Sequence, residues 1–274
     1  MSKAAAGLNV EHSGRGGPLV FWHGWGMNLR VFDALRADLA ADYLTQAVDL
    51  PGHGRSPWPP DSDVADARGE PLGALDRLVA PLLPTLPAHS TLVGWSLGGQ
   101  LALRAALLAP ERVARLVLIA TTPRFRRAPD WPYGVDDALL AQMRARLASD
   151  YAGTISEFLE LQLRGSRDAA ALLRALRAAL RTQGDAVPAA LLTGLDALAH
   201  SDLRTLLPQI HQPLLAVGGQ YDRITPPQGV AALAAMVTGG RYHQYARAAH
   251  APFLSHAAEF AALLRGFIAG SATP

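Results

Sequence analysis

Cysteine is absent from all 274 residues. Disulfides, thiolate nucleophiles and cysteine-rich metal sites are therefore excluded. Lysine is almost absent as well: Lys3 is the only one among 25 basic residues. The net charge of +2 then reflects arginine usage and makes no case for a nucleic-acid partner. Charged residues amount to only 18%, while 50% are hydrophobic, which argues against disorder and allows a sizeable core. No stretch reaches the roughly 18 uninterrupted apolar residues of a membrane span. The opening Met1-Ser2-Lys3-Ala4-Ala5-Ala6-Gly7 lacks the apolar centre of a secretory signal. A cytoplasmic monomer without a membrane partner is the expectation.

What is present is a series of short apolar runs, each closed by turn residues. They lie at 19–22, 44–48, 91–93, 116–120 and 214–217, with a weaker one at 242–245. Runs of this kind read as strands buried on both faces, the pattern of a parallel sheet. Helical spacing occupies 31–41, 99–109 and 257–268, so strands and helices alternate. The alternation fails between Ala120 and Leu214, where helical patterns fill 136–149, 154–164 and 168–181. This predicts an α/β protein whose core, residues 1–122 and 191–274, is interrupted by a helical lid at 123–190.

Gly94-Trp95-Ser96-Leu97-Gly98 fits G-x-S-x-G, with a strand before it and an apolar helix after it. Such a turn lifts a serine hydroxyl above the sheet at a helix N-terminus, which makes Ser96 the candidate nucleophile. Acyl transfer also needs two N–H donors for the oxyanion. The amide of Leu97, just after the serine, is one; the amide of Trp25, in the loop His23-Gly24-Trp25-Gly26, is the other. The Trp25 indole is expected to line the pocket, and His23 to shape the loop.

An acid followed by a histidine should come after the serine in the chain. Of the later histidines, His211 precedes a strand, His243 lies inside one, and His256 starts a helix. His250 lies in the loop after the last strand, at the carboxyl edge of the sheet, and is the candidate base. Asp222 follows the strand at 214–217 and is the only carboxylate between it and His250. It is the candidate for orienting the imidazole. No metal or organic cofactor is called for.

Together with Asp49-Leu50-Pro51-Gly52-His53-Gly54-Arg55-Ser56, these motifs resemble the α/β-hydrolase superfamily. The resemblance implies an α/β-hydrolase fold: a mostly parallel central sheet flanked by helices, with an inserted helical lid. Within it, Trp22-His23-Gly24-Trp25-Gly26-Met27-Asn28, Leu92-Val93-Gly94-Trp95-Ser96-Leu97-Gly98-Gly99, Ala248-Ala249-His250-Ala251-Pro252-Phe253 and Phe158-Leu159-Glu160-Leu161-Gln162 are similar to the pimeloyl-[acyl-carrier protein] methyl ester esterases of biotin synthesis. That likeness implies hydrolysis of a carrier-bound methyl ester, releasing methanol. It also implies a substrate channel lined by Trp25, Leu97 and the stretch Phe158, Leu159, Glu160, Leu161 and Gln162, ending at Ser96 and His250.

Members of this type present lid arginines to an acidic acyl carrier protein. Some carry arginine just before the Phe-Leu stretch, where this chain has Gly153 and Glu157. Here the arginines follow it: Arg164, Arg167, Arg174, Arg177 and Arg181. Arg167, Arg174 and Arg181 recur every seven residues, which on one helix would form a stripe suited to such a partner, or an ordinary solvated face. Other readings share the core motifs: a broad carboxylesterase or enol-lactonase, a C–C hydrolase, or a non-catalytic ligand receptor.

Overall fold

The computed structural model describes residues 7–59 and 73–270. The N-terminal residues up to Ala6 thus lie outside the described residues. The strands are β1 (Val10–Ser13), β2 (Pro18–Trp22), β3 (Leu44–Val48), β4 (Ser90–Trp95), β5 (Val113–Ile119), β6 (Leu214–Gly219) and β7 (Arg241–Tyr245). They form one sheet in the order β1-β3-β2-β4-β5-β6-β7. Every neighbouring pair is parallel except β1 with β3.

The apolar runs are continuous because both faces of the sheet are covered. Side chains alternate between faces along a strand. Leu19, Phe21, Val93, Val117, Ile119, Leu215 and Val217 enter one core, while Val20, Trp22, Leu92, Leu116, Leu118, Leu214 and Ala216 enter the other. The edge strand β1, Val-Glu-His-Ser, escaped the sequence reading. It is short, has Val10 as its single apolar residue and is exposed at its end, so it carries no apolar run.

The helices are α1 (Asp33–Leu39), α2 (Ala74–Val79), α3 (Leu97–Leu108), α4 (Asp137–Ser149), α5 (Tyr151–Leu163), α6 (Ala169–Arg181), α7 (Pro188–His200), α8 (Pro227–Ala235), α9 (Pro252–Ser255) and α10 (Ala257–Ile268). The first face is packed by α1, α9 and α10 through Leu35, Leu39, Phe253, Phe260 and Leu264. The second is packed by α2, α3, α7 and α8 through Leu78, Leu101, Leu195 and Leu233. None of the described helices is long and apolar enough to cross a membrane.

Helices α4 to α7 fill the interval between β5 and β6, three of them close to the expected spans. The fourth, α7, was not anticipated. It runs through position 190, where the lid was expected to end, and sends Leu191, Leu195 and Leu198 into the core.

The sheet's branch point places the site. From β2 the chain moves to β3 on one side, then returns to β4 on the other. Loops leaving β2 and β4 therefore face each other across a crevice at the strands' carboxyl ends.

Leu118 is fully buried in a central strand. Leu118→Ala should cost about 2–5 kcal/mol of stability through the cavity it leaves. Urea unfolding would read this as a lowered midpoint, with turnover per folded molecule unchanged.

Candidate active site

Strand β4 passes into α3 through Ser96, whose backbone sits at φ 56, ψ −118. A side chain in that region is strained and persists only where the surroundings enforce it. Three glycines provide the enforcement. A Cβ on Gly94 would lie 2.4 Å from the Gly98 carbonyl oxygen, and one on Gly98 would lie 2.3 Å from that of Trp22. One on Gly99 would meet the Thr121 side chain at 2.6 Å. The turn is pinned from β5 as well: the Ser96 amide donates to Ile119 O at 2.9 Å, and Thr121 Oγ1 donates to Ser96 O at 2.7 Å. Ser96 is only 7% exposed.

The loop after β2 lies against this turn. A Cβ on Gly24 would sit 3.3 Å from Ser96 Cβ. Among the described residues, neither the Trp25 nor the Leu97 amide donates a hydrogen bond. Both stay available beside the serine, as an oxyanion site requires. The Trp25 indole is held by a bond from Nε1 to Leu191 O at 2.9 Å and by an edge-on contact with Phe158, ring centres 5.0 Å apart. Gly194 of α7 is needed there, because a Cβ on it would lie 2.7 Å from the Trp25 ring.

Buried polar groups hold the loop's shape. His23 Nε2 accepts the Leu50 amide at 3.0 Å, which assigns the proton to Nδ1, bonded to Gly24 O at 2.8 Å. Asp49 Oδ1 accepts the Leu29 amide at 2.7 Å, and its Oδ2 accepts from Asn9 Nδ2 and the Arg55 amide. His53 stands 5.3 Å from His23, ring to ring. Burial pushes the His23 imidazole down to about 4. It pushes His53 down to about 3, helped by the neighbouring His23. Both are therefore neutral structural groups at pH 7, as expected for His23.

Asp222 and His250 meet across the ends of β6 and β7. His250 Nδ1 lies 2.8 Å from Asp222 Oδ2, with both side chains almost fully buried. The carboxylate is saturated. Its Oδ1 accepts the Ile224 and Thr225 amides at 2.8 and 2.9 Å, and its Oδ2 also accepts Thr225 Oγ1 at 2.7 Å. The far nitrogen of His250, Nε2, is buried and has no partner among the described residues. No hydrogen bond to Ser96 is therefore formed, but Trp95, next to the serine, donates from Nε1 to His250 O at 2.8 Å. The strand that leads into Ser96 and the loop that carries His250 are thus directly tied. Thr225 and Trp95 were not singled out from sequence. A threonine three residues after an aspartate in a loop was the available signal for the first.

The lid stretch divides by helical geometry. Leu159 and Gln162 are buried and Phe158 reaches Trp25, whereas Glu160 is exposed and accepts from Arg177 Nη2 at 2.7 Å. The arginine stripe requires correction. Asp168, at φ 58, breaks the helix path, and α6 starts only at Ala169. Arg167 consequently leaves the stripe and bonds Ser255 O at 3.2 Å, while Arg177 is taken up by Glu160 and Ser156. Arg164, Arg174 and Arg181 are exposed and have no carboxylate partner among the described residues.

The family model described as alpha/beta hydrolase fold matches residues 17–257. The chain is a member of the α/β-hydrolase family. It is 40% identical to the pimeloyl-[acyl-carrier protein] methyl ester esterase of Nitrosomonas europaea over 93% of this chain and 97% of that protein. It is 42% identical to that of Stenotrophomonas maltophilia, over 96% and 97%. Within the α/β hydrolases it thus belongs to the family of pimeloyl-[acyl-carrier protein] methyl ester esterases. Solved structures share the fold, including an esterase from Exiguobacterium antarcticum with a TM-score of 0.84 at 23% identity, covering 96% and 95% of the two chains. An enol-lactonase from Burkholderia xenovorans has a TM-score of 0.77 at 19% identity, covering 96% of each chain.

The buried histidines make stability fall with acid. Each must take up a proton on unfolding below the ordinary value of 6.5, so the unfolded state binds more protons and stability rises with pH. Between pH 6.5 and 5 the loss should be roughly 1.5 kcal/mol per histidine. Urea midpoints measured across that range should fall, and fall less in His53→Gln, once its own destabilisation at pH 7 is subtracted. A flat profile in the parent chain would refute the assignment.

Proposed function

We propose that this chain is a serine esterase that hydrolyses the methyl ester of a pimeloyl chain on acyl carrier protein. The observation that carries the reading is the buried Asp222–His250 pair beside a strained serine turn. Its family membership supports the substrate.

In this mechanism His250 takes the proton of Ser96 Oγ as the oxygen attacks the ester carbonyl. The carbonyl carbon becomes tetrahedral, and the Trp25 and Leu97 amides receive its oxyanion. Collapse breaks the bond to methoxide, which leaves with the proton held by His250, as methanol. Water then attacks the acyl-serine, with His250 again accepting the proton, and the free acid is released. Asp222 accepts the Nδ1–H bond of His250 and stabilises the transient imidazolium. Nothing in these steps draws on a metal or organic cofactor.

The lid, α4 to α6 within the interval 123–190, covers the serine and confines the acyl chain against Trp25 and Phe158. Catalysis there gains from exclusion of bulk water. Arg164, Arg174 and Arg181 are the cations left for an acidic carrier, steering it by charge complementarity. A cytoplasmic, monomeric protein fits this role.

Ser96→Ala should lower ester turnover by several orders of magnitude, about 10⁴-fold or more, while circular dichroism stays unchanged. Near-normal hydrolysis by the variant would end the proposal. Arg174→Glu with Arg181→Glu should raise KM for the carrier-bound ester and leave a free short methyl ester unaffected. Equal effects on both substrates would place the carrier elsewhere.

A further inference from the structure

The lid does more than cover the site, because it also holds the backbone that carries the base. Helix α5 ends at Leu163, and Gly165 at φ +92 turns the chain back over the histidine loop. Ser166, in this turn, is 9% exposed, and its own amide donates to Leu163 O at 2.9 Å. Its Oγ accepts the Ala249 amide at 2.9 Å. The next amide along, that of His250, donates to Gln162 O at 2.9 Å, a carbonyl of the last helical turn that the helix itself leaves unpaired. Arg167 extends the seam, its amide donating to Arg247 O at 3.1 Å.

From the core side the same loop is gripped differently. The Tyr221 amide donates to Ala248 O at 2.8 Å. Ala249 O lies so close to Gly219 that a Cβ there would be 2.0 Å away. The loop is therefore clamped between the acid's strand end and the lid turn. Ala249 is fully buried, so water cannot replace the acceptor that Ser166 supplies. The residue after it is the base, whose Nε2 has yet to find the serine. A rotation of the backbone at Ala249 would move the imidazole that follows it, and Ser166 is the side chain that bonds this amide.

We propose that Ser166 is a positioning residue: through the Ala249 amide it sets the alignment of His250 with Ser96, so that the seating of the lid turn governs how well the base works. This rests on His250 being the general base. It makes lid placement part of the reaction geometry as well as of substrate enclosure. It also gives a buried lid hydroxyl outside the Ser96, His250 and Asp222 set a role in turnover.

The test is the rate at which a fluorophosphonate labels Ser96, since that reaction needs His250 to remove the serine proton and does not need the carrier. Ser166→Ala should slow labelling by about tenfold to a hundredfold, the scale of a sub-ångström to ångström misplacement. On a short soluble methyl ester, kcat should fall by a similar factor with KM within about twofold, because the acyl channel is intact. The downfield proton resonance of the His250–Asp222 hydrogen bond should shift or broaden. Ser166→Thr, which keeps the hydroxyl, should recover most of the rate. Labelling at the parental rate in Ser166→Ala overturns the proposal. So does a loss confined to KM, or a slowed rate with an unchanged resonance and no recovery in Ser166→Thr. Failure of the parent chain to label at all would instead overturn the reading of Ser96 and His250, a distinct result.

Discussion

A carboxylate can be buried away from water without a large penalty only if its oxygens are fully engaged, and Asp222 meets that condition. Two loop amides, one hydroxyl and the His250 ring occupy its lone pairs. Removing any of them would leave a buried charge under-satisfied, at a cost larger than that of an ordinary lost hydrogen bond. The imidazole is oriented by this contact, with Thr225 Oγ1 3.3 Å from the same nitrogen and the Trp95 ring beside it. Its backbone is fixed on three further sides, by Gln162 from α5, by Trp95 from β4, and by the close approach of Gly219.

The remaining architecture follows from bringing that pair to the serine. A parallel sheet places the ends of β4, β6 and β7 on one rim, so Asp222 meets His250, and Trp95 of β4 reaches the His250 carbonyl. The strain at Ser96 is maintained by glycines whose Cβ positions are already filled by backbone or side-chain atoms. The buried histidines behind the loop after β2 serve the same end. His23 ties the loop after β2 to the loop after β3, and His53 packs beside it.

Much of this was legible from residue order. The strands stood out because a sheet covered on both faces needs unbroken apolar runs, and the elbow because its spacing is a steric requirement of the turn. Strand β1 was not legible, since an antiparallel edge needs only a few residues and no apolar face. Nor was α7, whose start at Val187-Pro188 sat within a segment assigned to the lid. The arginine stripe was misread because seven-residue spacing implies a shared face only on an unbroken helix, and Asp168 breaks it.

Local chemistry, then, can be inferred from the linear chain: which hydroxyl is lifted into a strained turn, which loop carries a histidine, which strands are buried. These depend on neighbours a few positions away. Contacts between distant segments cannot be inferred in that way. Thr225 on the acid, Trp95 on the histidine's carbonyl and Ser166 on the adjoining amide each join segments through one hydrogen bond. A single bond imposes no periodicity and little composition on the chain, so only the folded arrangement selects which serine or threonine makes it.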